Sequence, residues 1–130
     1  MWEHVFVTSE GPAYARFRRA LGRGDLFAAS THAKELAHVG LAEAFELALL
    51  ILEKEPVRYE PAALRLHARL VMEANLGLAD ASTALALLAG LRGKRSRESA
   101  HALADLIGGD RKLLPVADVL VRWGSRDLAA

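Results

Sequence analysis

Ala37-His38-Val39-Gly40-Leu41-Ala42-Glu43-Ala44 returns 37 residues later as Ala74-Asn75-Leu76-Gly77-Leu78-Ala79-Asp80-Ala81. In each copy an Ala/Leu-rich stretch meets a glycine, and a second such stretch follows. Two-helix repeat units run roughly 33–47 residues, and this period falls among them. The phrase therefore reads as the joint of a helical hairpin, used twice, and the chain as all-α.

Outward from the first joint, 41–54 is the greasiest segment. Phe45, Ala48, Leu49 and Leu52 share one face at helical spacing, with Ala44 and Ile51 beside it. Only Glu43, Glu46 and Glu53 mark a wet side, so this helix is expected at the centre, ending at Pro56. Before it, Asp25 reads as the N-cap of a helix over 25–38 whose stripe is Leu26, Ala29, Ala33, Leu36 and Ala37. Gly40 reads as its left-handed C′ residue. Pro12 suits the first position of a short helix over 12–21, stopped by Gly22-Arg23-Gly24, and residues 1–11 read as irregular.

Beyond the second joint the pattern continues. A helix over 60–74 turns Ala63, Leu66, Leu70 and Ala74 inward and Arg65 and Arg69 outward. Helices over 79–91, 96–107 (capped by Ser96) and 114–123 follow, separated by Arg92-Gly93-Lys94-Arg95 and Gly108-Gly109-Asp110. Short connections make consecutive helices antiparallel neighbours. The expected fold is one all-α domain over residues 1–130, with six or seven short helices as consecutive antiparallel hairpins.

Composition narrows the function classes. At 130 residues the chain has the size of one domain, and 52% hydrophobic residues place it among globular proteins. No cysteine is present, which removes disulfides, thiolate metal sites and cysteine nucleophiles. The start Met1-Trp2-Glu3-His4-Val5-Phe6-Val7 does not read as a signal peptide, and the mid-chain apolar run Leu47 to Leu52 is far below the roughly 20 residues that span a bilayer. A cytoplasmic protein with no membrane contact is the expectation. A net charge of +1 leaves only local patches for nucleic acid.

Three side-chain groups bear on chemistry. Glu35/His38 and Glu98/His101 are Glu-x-x-His pairs, the spacing used twice in di-iron carboxylate bundles, with Glu46 or Glu73 available as further ligands. Both pairs fall on polar helix faces, so solvated i, i+3 contacts are expected instead of a metal site. His67 sits beside Leu66 and Leu70, where a packed, hydrogen-bonded histidine is expected over a functional base. Arg92, Lys94, Arg95 and Arg97 form the densest basic cluster, with Arg16, Arg18, Arg19 and Arg23 as a second. The first is the candidate nucleic-acid contact, although no aromatic residues interleave to stack bases.

No nucleophile elbow, phosphate loop, H-E-x-x-H or dinucleotide fingerprint occurs, so neither enzyme activity nor a cofactor is expected. A surplus of hydrophobicity remains: mean hydropathy is positive, and Leu85, Leu87, Leu88 and Leu91 leave the fifth helix little polar face. Trp2, Leu47, Leu50, Leu87 and Trp123 are the candidate contacts for a protein partner or a second copy.

The stretch Phe17-Arg18-Arg19-Ala20-Leu21 through Gly24-Asp25-Leu26, with Leu49-Leu50-Ile51-Leu52-Glu53-Lys54-Glu55-Pro56-Val57-Arg58-Tyr59-Glu60, resembles small all-helical proteins of unassigned function from high-GC actinobacteria. The resemblance covers most of the chain, consists of helix punctuation and core, and implies no catalytic or binding residues. The hairpin layout is also similar to tetratricopeptide-type repeats, without their Trp, Tyr and Phe at fixed offsets.

Overall fold

The segment around Phe45 becomes α3 (Leu41–Lys54), against which four of the other helices pack. The computed structural model describes residues 2–126, with side chains from Gly11 onward. The other helices are α1 (Trp2–Arg23), α2 (Leu26–Lys34), α4 (Tyr59–Ala74), α5 (Leu78–Gly90), α6 (Ser96–Ile107) and α7 (Leu114–Gly124). Short 3₁₀ turns at Pro56–Arg58 and Arg111–Leu113 lead into α4 and α7. The described chain contains no strand.

Neighbours in sequence pack against one another along the whole chain, and α7 returns to pack on α3. Helices α3 to α7 therefore form a closed ring, not an open superhelix, and the α1–α2 hairpin leans on α3 from outside it. The buried side chains of α3 (Leu41, Phe45, Ala48, Leu49, Leu50 and Ile51) cover much of its circumference, which a helix contacted by α1, α2, α4 and α7 requires. Leu103 and Leu120 carry the same core into α6 and α7. No charged or polar residue is buried among the described residues.

Four local expectations are corrected. Residues 2–11 are not irregular: they belong to α1, which runs through Pro12. Proline's φ is itself helical, and at this exposed position the ring removes one hydrogen bond without ending the helix. Helix α2 stops at Lys34, so His38 lies in the connection to α3. Gly40 is not left-handed; it is the N-cap of α3 with φ −62°. Gly77 caps α5 in the same way with φ −74°, so the repeated phrase marks equivalent helix starts. Ser96 is the first residue of α6, and Arg95 holds the cap position.

Among the described residues, Gly24 (φ 69°) and Asn75 (φ 53°) are left-handed. After α1, the Asp25 N–H reaches the Ala20 carbonyl at 3.0 Å and the Gly24 N–H the Leu21 carbonyl at 3.1 Å, a Schellman ending that favours glycine at 24. The Asp25 carboxylate then accepts the Ala28 N–H at 3.0 Å, so one residue ends α1 and caps α2 as expected. At the α6–α7 crossing, a Cβ on Gly124 would stand 3.1 Å from His101 Nε2 and 3.2 Å from Ala100 Cβ. The two helices approach so closely because position 124 has no side chain.

Tyr59 ties α4 to α5. It is 1% exposed, and its hydroxyl donates to the Leu88 carbonyl at 2.8 Å. Burial pushes that hydroxyl from 10.0 up to about 12, Arg92 opposing slightly. The folded-state value is raised, so the stability held by the neutral phenol is complete below pH 10 and drains away as pH rises through 12. The expected loss is about 2–3 kcal/mol. Urea unfolding at pH 9, 11 and 12 should show it in the parent protein. Tyr59→Phe should be weaker by about 1 kcal/mol at pH 9 and fall less at higher pH. Equal alkaline slopes in the two proteins would contradict this. Tyr14, also raised by its hydrogen bond to Glu43, titrates in both proteins.

Candidate functional site

The sequence candidates separate into distinct environments. Among the proposed partner contacts, Leu50 is 8% and Trp123 9% exposed, and both belong to the core. Their assignment to a docking surface is corrected: α3 and α7 need those side chains to close the ring. Leu47 and Leu87 are partly buried against the same core. The Trp2 side chain lies outside the described residues.

The two Glu-x-x-His pairs lie in separate surroundings. Glu35 accepts from His32 Nδ1 at 2.7 Å and from Arg16 at 3.3 Å, which together hold its carboxyl below the usual carboxylate range. His38 is exposed in the connection after α2 and no longer shares a helix face with Glu35. Glu98 is exposed on α6, while His101 lies against Gly124. Glu46 is paired with Arg18, and Glu73 with Arg69 at 2.8 Å. Among the described residues no three histidine, aspartate or glutamate side chains converge as a metal would require.

His67 is half-buried, and its Nε2 donates to the Ala81 carbonyl at 2.7 Å, joining α4 to α5. That is the packed, hydrogen-bonded histidine expected from its neighbours.

The basic clusters are largely engaged. Arg92 pairs with Glu60 at 3.2 Å, and Arg97 reaches the Arg126 carbonyl at 3.5 Å; all four cations are exposed, and Lys94 and Arg95 have no ion pair among the described residues. Arg16, Arg18 and Arg23 pair with Glu35, with Glu43 and Glu46, and with Asp25. Three arginines of the second cluster thus pair around α1, and Arg19 is exposed with no ion pair among the described residues.

Besides concavities of about 350 Å³ at the Arg92–Gly93 turn and about 400 Å³ at the start of α3, three remain among the described residues. The largest, about 600 Å³, lies between the end of α1, α3 and α7 and is lined by Arg23, Arg122, Arg126, Glu46, Glu53 and the rim of the core. Its arginines face acids already: Arg23 meets Asp25, Arg122 meets Asp118, and Arg126 meets Glu53. The two others flank α4. One, about 270 Å³, lies between α3 and α4 over Leu47, Ala48, Ile51 and Leu66, with Arg65 and Arg69 at its edge. The other, about 220 Å³, lies between α4 and α5 over Tyr59, Ala63 and Leu88, with Leu64 and Leu85 beside it.

Comparison with protein-family models, curated proteins and solved structures gave no match. What the chain does must be inferred from its own surfaces.

Those surfaces carry apolar groups that sequence reasoning passed over. Leu64 is 53%, Met72 80% and Leu78 87% exposed; Leu85, already noted as surplus apolar surface on the fifth helix, is 40% exposed. The signal for the first two was present, since Leu64, Ala68 and Met72 recur every fourth residue on the side of α4 away from Leu66 and Leu70. No described helix is long and apolar enough to cross a membrane.

Proposed function

We propose that this is a non-catalytic helical interaction module of the cytoplasm that self-associates through the outer face of the α4–α5 hairpin. One observation carries the proposal: Leu64 and Leu85 remain exposed on facing helices, on either side of an apolar groove, after the core beneath them is complete. An apolar patch on adjacent helices that no part of the same fold covers is the usual mark of a protein contact. Helix α5 supplies it because its main packing is against α4 and α6, which leaves Leu85 exposed. The groove floor is apolar, Arg92 and Glu60 at its edge neutralise one another, and its shape takes an aliphatic side chain.

Light-scattering mass behind a sizing column tests this. The parent protein should run at twice its 14.1 kDa chain mass, insensitive to salt. Leu64→Glu/Leu85→Glu should run as a monomer with an unchanged helical spectrum, since both positions are exposed and charges there cost the fold within about 0.5 kcal/mol. A parent protein that is monomeric at high concentration counts against self-association.

A further inference from the structure

The groove on the opposite flank of α4 differs in charge. Its floor is aliphatic, and the only charged side chains that line it are Arg65 and Arg69. Arg65 is exposed and has no ion-pair partner among the described residues. Arg69 spends its Nε on Glu73, while its Nη2 is buried with no hydrogen-bond partner. That nitrogen is closed to a partner, but the Arg69 side chain as a whole is 31% exposed, and a guanidinium is best met by a carboxylate.

The spacing of the two arginines narrows the occupant. Four residues apart on one helix, they stand roughly 5–6 Å from each other, one turn along α4. Two carboxylates one turn apart on a facing helix have the same separation. A fatty acid offers one carboxylate, and this open groove gives its chain no tunnel. The small side chains Ala44, Ala48 and Ala62 at the groove let a helix approach closely.

Resting on the interaction reading, we propose that the α3–α4 groove docks an acidic amphipathic helix of another protein. An aliphatic side chain seats between Leu47 and Leu66, and two carboxylates one turn apart pair with Arg65 and Arg69. This is helix-in-groove recognition with charge setting the register. A second copy of this chain does not supply such a helix from its Glu43/Glu46 face, because Arg18 already engages both glutamates.

The test is a display library of short amphipathic helices, leucine fixed on the apolar face and Glu or Lys varied beside it, panned against the folded full chain. Enriched sequences should carry Glu at i and i+4 next to a leucine. A synthetic peptide from that set should lose affinity roughly tenfold against Arg65→Glu, more against Arg65→Glu/Arg69→Glu, and should weaken with salt. Arg65→Glu breaks no internal ion pair, so it separates lost docking from lost folding. Leu64→Glu/Leu85→Glu should bind the peptide as the parent does. Enrichment without acidic bias, no enrichment, or a peptide indifferent to Arg65→Glu overturns the proposal. So does a fluorescent long-chain fatty acid that binds the parent but not Arg65→Glu while no acidic helix is selected. A parent dimer with no acidic binders removes this proposal and keeps self-association; acidic binders on a monomeric parent do the reverse.

Discussion

Replacing Phe45 with alanine is expected to cost about 3–5 kcal/mol, the usual range for truncating a fully buried phenylalanine. Phe45 is 0% exposed on α3, the helix that touches α1, α2, α4 and α7. A cavity there removes apolar contact at the meeting point of the ring and the α1–α2 hairpin. Helical backbone on several sides prevents the space from collapsing, so the cavity contribution stays high. Total stability for a domain is about 5–15 kcal/mol, so much of it is at stake. Thermal or urea unfolding reads the effect, with Tm falling by roughly 10–20 °C. Phe27→Ala is the control: the same ring, 84% exposed on α2, should change stability by no more than about 0.5 kcal/mol. Equal costs at the two positions would mean that α3 is not the centre of the fold.

The centrality of α3 was legible because local pattern and global role coincide there. Phe45, Ala48, Leu49 and Leu52 on one face announce a helix, and Ala44 and Ile51 beside them announce a wide buried side. Helix starts were legible for a similar local reason. Asp25 offers the carboxylate that the first turn of α2 needs, and Pro61 and Pro115 lie in the first turns of α4 and α7. Pro12 misled because a proline can either begin a helix or lie within one, and only the rest of the structure chooses.

Ring closure was not legible at all. The α3–α7 contact joins segments far apart in the chain, and periodicity within either helix carries no record of the other. That is why Leu50 and Trp123 read as spare apolar surface: their partners are distant in sequence. The reverse error hid Leu64 and Met72, which lie on the outward side of a helix whose inward stripe was already accounted for. Arg69 looked like an ordinary solvated cation. Only packing shows that part of its guanidinium is buried at the edge of an apolar groove.

Trp123 sharpens the distinction between core and contact, and its truncation is the second large effect expected. Trp123→Ala should cost about 3–5 kcal/mol and leave the oligomeric mass unchanged. The indole is buried where α7 returns to α3, and the Arg126 guanidinium lies 3.4 Å from its ring centroid. Arg126 is fixed there by the Trp123 carbonyl at 2.6 Å and by Glu53 of α3 at 3.7 Å, so one side chain covers the ring and links two helices. Within this arrangement the indole Nε1 is buried with no hydrogen-bond partner. Trp123→Phe removes that orphan donor and keeps an aromatic face for Arg126, so the lost area is offset and the net change should stay within about 1.5 kcal/mol. Arg126→Ala in the parent should cost about 1–2 kcal/mol through the lost stacking and hydrogen bond, and should cost almost nothing once Trp123→Ala is present. That coupling belongs to a core lid. A tryptophan serving as a partner anchor would behave oppositely, changing the mass on the sizing column while the unfolding midpoint stayed where it was.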